Sequence, residues 1–167
     1  MEGGFTGNIM KQLRIFTAGA EEVSGILRVE HACFECRWAR SQYLAGLERG
    51  NLRLMAASND SEVTVGYVAY SCIAGEMEIL NIAVMPEYRR GGTGRRLLRA
   101  ALDDGAASGA EACFLDVRTS NIPAIRLYEE FGFEMTGRRK RYYPDNREDA
   151  LLFRLDMGGL PRDKAGA

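Results

Sequence analysis

After Val84 the chain reads Met-Pro-Glu-Tyr-Arg-Arg-Gly-Gly-Thr-Gly-Arg-Arg, ending at Arg96, and these residue types at this spacing suit the capture of an anion. Gly91, Gly92 and Gly94 carry no side chain, so backbone N–H groups can come close to a phosphate. A helix starting at Thr93 would add its electropositive N-terminus. Five arginines (Arg89, Arg90, Arg95, Arg96, Arg99) crowd the loop and the first turns, where they oppose the helix dipole unless an anion offsets them. Two better-known phosphate loops do not match. No Lys-Ser or Lys-Thr follows, and after Gly92 and Gly94 the third position of a dinucleotide fingerprint is Leu97. The plainer reading is a glycine-rich turn followed by a solvated basic helix face.

A second grouping, His31, Cys33 and Cys36, has spacing that could suggest zinc or redox chemistry. A structural zinc site needs four ligands, and the remaining cysteines, Cys72 and Cys113, fall in apolar strand patterns far along the chain. The expectation is free thiols and no metal.

The surrounding elements follow from periodicity. Leu13 to Thr17 predicts a short strand. Val23, Ile26, Leu27 and Glu30 recur at helical spacing between Ala20 and Ala32. A second helix is expected from Ser41 to Arg49, capped by Ser41 and stopped by Gly50. Leu52–Ala57, Val63–Ala74 and Met77–Val84 read as consecutive strands joined by turns at Asn59-Asp60 and Ala74-Gly75, an antiparallel meander. The apolar run Leu80 to Met85, broken only by Asn81, predicts a strand end covered on both faces. Leu97, Leu98, Ala101, Leu102 and Gly105 mark a helix ending near Gly109. Ala112–Val117 is a strand. Ser120 or Asn121 caps a helix with Pro123 in its first turn and Gly132 after its end. Two last strands, Glu134–Tyr143 and Ala150–Asp156, flank a turn at Pro144–Asn146. The fold class is α+β.

Composition fits one domain, expected over residues 10–157 of the 167-residue chain, with flexible tails at 1–9 and 158–167. No apolar run approaches the roughly 18 residues of a membrane span. Lys plus Arg total 22 against 23 Asp plus Glu, and the pI is near 5.9, so no global field draws nucleic acid and direct nucleic-acid binding is not expected. Four cysteines and no secretory leader point to the cytoplasm.

Arg89-x-x-Gly92-x-Gly94 after a strand ending Asn81-Ile82-Ala83-Val84 resembles the acetyl-CoA motif of the GNAT acyltransferases. Leu115-Asp116-Val117-Arg118-Thr119-Ser120-Asn121, Ala124, Leu127 to Phe133, Tyr142-Tyr143-Pro144 and Arg147 to Ala150 resemble the bacterial ribosomal-protein-alanine N-acetyltransferases. The likeness is close from Leu80 to Ala150 and topological before that. It implies a mixed, mostly antiparallel sheet of about seven strands flanked by about four helices. It also implies acetyl-CoA as co-substrate and a protein N-terminus, such as that of a ribosomal protein, as acceptor. The alternatives are a small-amine or lysine acetyltransferase on the same fold and a non-catalytic acyl-CoA-binding module.

The resemblance further implies that Ile82, Ala83 and Val84 meet the acetyl-pantetheine arm. Arg89, Arg90, Gly91, Gly92, Thr93, Gly94 and Arg95 hold the pyrophosphate, and Asn121, Ala124 and Tyr128 touch the CoA arm. Tyr128 is then the general acid, since a phenol of pKa about 10 can protonate a thiolate of pKa about 8.5. On spacing alone it reads as a core aromatic. Asp116 takes the place of the family's glutamate base and shares a strand face with Phe114, its alternative being a structural carboxylate paired with an arginine. Glu35 is a second candidate at the acceptor, on a segment, Phe34 to Trp38, that departs from the family pattern. Tyr142 and Tyr143 are candidates to hold a peptide backbone, with only one facing any given side. Arg138 to Arg141 reads as a solvated strand edge or, more sharply, as an RNA contact.

Overall fold

The computed structural model describes residues 12–158. The expected leader at 1–9 and the tail beyond Gly158 lie outside the described residues. Among those described, the order is β1 (Arg14–Ala18), α1 (Val23–Cys33), α2 (Arg40–Glu48), β2 (Arg53–Ser58), β3 (Thr64–Ile73) and β4 (Glu76–Val84). Then come α3 (Thr93–Ala107), β5 (Ala112–Arg118), α4 (Ile122–Glu130), β6 (Glu134–Arg139) and β7 (Ala150–Asp156). One seven-stranded sheet runs β1-β2-β3-β4-β5-β7-β6. Every pairing is antiparallel except β4 with β5, so the mixed, mostly antiparallel α+β expectation holds.

Local chemistry accounts for the punctuation. Ala74 and Gly75 both take positive φ (51° and 81°), the pair of left-handed residues that a tight hairpin needs. Asn59 Oδ1 accepts from the N–H groups of Ser61 and Val63, each at 3.0 Å, and closes the β2–β3 turn. Asn121 caps α4 by accepting from the Ala124 N–H at 3.3 Å. Ser41, by contrast, does not cap α2: the helix begins one residue earlier, and Gln42 Oε1 reaches back to the Ala39 N–H at 2.7 Å. The last expected hairpin also differs, because β6 ends at Arg139 rather than Tyr143. Asp149 accepts from the Arg138 side chain and the Arg141 N–H, and Arg141 adopts φ 53°, which turns the chain out of the ladder.

The sheet carries helices on both faces. Leu97, Leu98, Ala101 and Leu102 of α3 pack with Met77, Ile79, Leu115 and Val117 on one side, joined by Tyr128 of α4. Val23, Ile26 and Val29 of α1 and Tyr43 of α2 pack over Leu54, Ala56, Tyr67 and Ala69 on the other. Each large apolar side chain buried here contributes about 1.5–3 kcal/mol. The α3 contact is close: a Cβ on Gly105 would lie 2.5 Å from Met77 Sδ, so a side chain here would displace the Met77 thioether.

Candidate active site

The parallel neighbours β4 and β5 pair only from Glu76–Ala112 to Ile79–Leu115. Beyond that, β4 continues to Val84 and β5 to Arg118 without contact, and the sheet opens. A bulge starts the divergence, since Ala69 opposes Asn81 and Tyr70 opposes Ile79, leaving Leu80 as the extra residue. The Met85 N–H bonds back to the Val65 carbonyl at 2.8 Å. By alternation, the backbone groups of Val84 and Ile82 point away from β3 into the opening.

This corrects the expectation that Leu80 to Met85 is covered on both faces. Only Ala83 in that run is buried; Ile82 and Val84 touch the core on one side and with Ala83 border an open space on the other. The space is a cavity of about 620 Å³ bounded by Ile82, Ala83 and Val84 on one side and Asn121, Pro123, Ala124 and Leu127 on another. Cys33, Phe34, Arg89, Arg90 and Gly94 complete it.

Gly91, Gly92 and Thr93 sit beside it at the start of α3. Arg90 and Gly92 take φ of 62° and 82°, curling the loop so that successive N–H groups converge. The first helical bond runs from the Arg96 N–H to the Gly92 carbonyl at 3.0 Å, which leaves the N–H groups of Thr93, Gly94 and Arg95 as the open donors of the helix end. A Cβ on Gly91 would meet nothing closer than 4.0 Å, and one on Gly92 nothing within 4 Å. Gly92 is accounted for by its left-handed φ, whereas neither backbone conformation nor packing demands glycine at Gly91, where a ligand lying against the backbone would. The Thr93 hydroxyl is committed to the Tyr88 carbonyl at 3.1 Å. Arg89 turns inward, its Nε donating to the Val84 carbonyl at 2.8 Å with a second nitrogen 3.5 Å from Cys33 Sγ. Arg95 pairs with Glu130 and lies outside the cavity lining.

A second space, a groove of about 710 Å³, begins where the strands part. Asp116, Glu78, Glu76 and Phe114 line it together with Thr136, Arg139 and Tyr142. Asp116 shares its face with Phe114 as alternation predicts, and Arg139 lies 3.9 Å from its carboxylate. Glu78 was not legible as a site residue from the sequence. Desolvation, reinforced by the neighbouring Asp116 charge, raises its carboxyl above the usual range. The signal was the alternation Glu76-Met77-Glu78-Ile79, which sends two carboxylates to one face at the mouth of the opening.

Tyr128 is 4% exposed, with its ring 5.6 Å from that of Phe133, and it lines neither space. Burial pushes its phenol well above the ordinary value, and among the described residues its hydroxyl has no hydrogen-bond partner. Tyr142 lines the groove. Tyr143 lies under the Arg118 guanidinium at 3.8 Å and outside the groove lining, its ring in edge contact with that of Tyr142 at 5.2 Å; both residues follow the end of β6, so strand alternation does not sort them. Glu35 is exposed on the loop between α1 and α2 and lines neither space. Arg138 and Arg139 engage Asp149 and Asp116, so the basic run is not a uniformly solvated edge. Among the described residues no three His, Cys, Asp or Glu side chains gather as metal ligands.

Residues 23–133 match the Acetyltransferase (GNAT) family. The [Ribosomal protein bS18]-alanine N-acetyltransferase of Salmonella typhimurium is 30% identical over 132 residues, 78% of this chain and 88% of that protein. The protein of the same name from Escherichia coli (strain K12) is 44% identical over 87 residues, 51% of this chain and 59% of its own length. The crystal structure of the Escherichia coli ribosomal-protein-S18-alanine N-acetyltransferase superposes with a TM-score of 0.81 at 25% identity, covering 91% of this chain and 98% of that one. Arabidopsis thaliana NAA60 in complex with acetyl-CoA shares the fold, with a TM-score of 0.80 at 17% identity over 89% of this chain and all (100%) of that chain. With the glycine-rich start of α3, the parted strands and these likenesses together, the chain belongs to the GNAT family of acetyltransferases.

Proposed function

We propose that this enzyme transfers acetyl from acetyl-CoA to the N-terminal α-amine of a protein in the cytoplasm, the acceptor class being ribosomal proteins that begin with alanine. The observation that carries the reading is the parting of β4 from β5 after Ile79 and Leu115, with an apolar cavity along the freed end of β4 and a carboxylate-lined groove that reaches Asp116, the first residue of β5 beyond the pairing. The named relatives support the choice of acceptor.

When bound, acetyl-CoA supplies an activated thioester. The open N–H groups of Thr93 to Arg95, with Gly91 and Gly92, hold its pyrophosphate, and Arg89 and Arg90 add charge at the cavity mouth. The backbone groups of Ile82 and Val84 pair with the pantetheine amides as an added strand would. Asn121 and Ala124 flank the same arm, and Ala83 keeps the strand seated. An N–H at Val84 stabilises negative charge developing on the acyl oxygen. Asp116, acting through water with Glu78 beside it, takes the proton of the acceptor ammonium. Tyr128, next to the cavity-lining Leu127 on α4 and itself outside the lining, keeps its proton and is the donor for the departing sulfur, the proton shed by the attacking nitrogen restoring it. Tyr142, from the groove wall, bonds the acceptor backbone. Tyr143 supports Tyr142 from beneath Arg118, and Glu35 contacts the acceptor from the α1–α2 loop.

An α-amine with pKa about 7.7–8.0 is substantially neutral near pH 7.5, whereas a lysine at about 10.4 is roughly 0.1% neutral. A modest base therefore suffices for the first, and Asp116 is one methylene shorter than a glutamate. A peptide starting with alanine and carrying an internal lysine is expected to gain its acetyl group on the α-amine, as mass spectrometry locates it. Acetyl on the lysine alone rejects the acceptor. Glu76, Glu78 and Asp116 together would also suit a small polyamine, and faster turnover of spermidine than of the peptide would establish that reading instead.

A further inference from the structure

The side chain of Glu30, in α1, is wholly buried, and the mechanism above does not use it. Its Oε1 accepts from the Tyr43 hydroxyl of α2 at 3.1 Å, from Asn81 Nδ2 of β4 at 3.3 Å and from the Trp38 N–H at 3.4 Å. The Asn81 amide also donates to the Tyr67 hydroxyl of β3 at 3.2 Å, and the Tyr43 and Tyr67 hydroxyls lie 3.2 Å apart. Oε2 has no partner among the described residues. Burying a carboxylate costs several kcal/mol unless donors compensate it, and an apolar residue would fill the same space without that cost. A buried polar side chain that gathers three donors on one oxygen calls for a reason beyond packing.

We infer that Glu30 is a positioning residue for acyl transfer, one oxygen holding the β4 bulge at Asn81 and the α1–α2 loop at Trp38 in fixed relation. Asn81 precedes Ile82 to Val84, which form one wall of the apolar cavity. Phe34, four residues before Trp38 in the loop, forms another part of the lining. Both parts are thereby referred to a single buried atom. The Trp38 ring, 5.2 Å from that of Tyr43, seals the network from solvent. The titratable groups facing Glu30 are Tyr43 from α2 and Tyr67 from β3, both held protonated by burial, and every bond that Glu30 accepts falls on Oε1. The anion-binding loop from Gly91 to Arg95 is not part of the network. Loosening Glu30 should therefore misplace the reacting carbonyl without releasing CoA.

The inference rests on the acetyltransferase reading, and its test separates the two. Asn81→Asp replaces the amide that donates to Glu30 and to Tyr67 with a carboxylate facing Glu30. Its kcat with an alanine-starting peptide is expected to fall at least about 10-fold, with acetyl-CoA affinity by calorimetry within about 3-fold of the native protein. Glu30→Gln keeps an oxygen for the three donors and is expected to stay within about 3-fold in kcat. The double variant Glu30→Gln with Asn81→Asp restores one amide facing one carboxylate, and kcat is expected to recover to within about 3-fold. A residue that only supports the fold would move the melting temperature and not this pattern. Should Asn81→Asp not fold, Tyr43→Phe deletes a single bond. Amide hydrogen exchange in Tyr43→Phe is then expected to quicken together in residues 34–39 and 81–84 and not in β6 or β7. Native-like kcat in Asn81→Asp, no recovery in the double variant, loss of activity in Glu30→Gln, or exchange that quickens in one segment only overturns the inference. Native protein that acetylates no amine overturns instead the reading on which it rests.

Discussion

At the scale of single residues, Tyr128 offers the sharpest choice between packing and chemistry. Its ring belongs to the core, so Tyr128→Phe keeps the shape and removes only the hydroxyl. Acetyl-CoA affinity is expected to be unchanged and single-turnover acetylation to slow by about 10²-fold. Unaltered chemistry would leave Tyr128 as a packing residue. The sequence made some of these residues readable and others not, for a physical reason. Asp116 was readable because strand alternation assigns faces without further information. Glu30 was not, because it occupies a position in the apolar stripe of α1, and only the fold brings Tyr43, Tyr67 and Asn81 to it from three other elements. Arg89, expected at the phosphate, lines the cavity and donates its Nε to the Val84 carbonyl; where a long side chain settles depends on acceptors that the sequence does not display.

At the scale of elements, the start of α3 and the loop before β7 carry separable predictions. Gly92 has φ 82°, which asparagine and aspartate tolerate better than other side chains. Gly92→Asn and Gly92→Asp therefore add similar bulk and differ in charge. Acetyl-CoA affinity by calorimetry is expected to drop no more than about 10-fold in the first and more than 100-fold in the second if an anion lies there. In the loop, Glu148 accepts from the Ser120 N–H at 2.7 Å and the Thr119 hydroxyl at 3.1 Å. These bonds hold its carboxyl at about 2, below the ordinary 4.5. A carboxyl so lowered stabilises the fold fully above the unfolded value and loses that contribution as pH falls toward the folded one. Glu148→Gln should melt below the native protein at pH 7, and the gap should narrow between pH 4.5 and about 2. A gap that stays constant with pH refutes the linkage. Helix stops at Gly109 and Gly132 and the β2–β4 meander were legible because turn chemistry is local. The early end of β6 was not, because it depends on Asp149, eight residues beyond Arg141 and across a hairpin.

At the scale of the whole molecule, overall architecture was readable because each apolar period agreed with its neighbours. The opening was misread because a run such as Leu-x-Ile-Ala-Val looks alike whether protein or ligand covers it. The cavity beside α3 and the groove at Asp116 share no lining residue. Two molecules held in such separate mouths exclude each other from neither, so each can arrive and leave while the other stays. Steady-state kinetics should accordingly show intersecting double-reciprocal lines. Free CoA should compete with acetyl-CoA and yet leave the slope against acceptor peptide to change noncompetitively. Parallel lines, the mark of an acetylated enzyme that forms before the peptide arrives, would mean that the two mouths are used in turn and not at once.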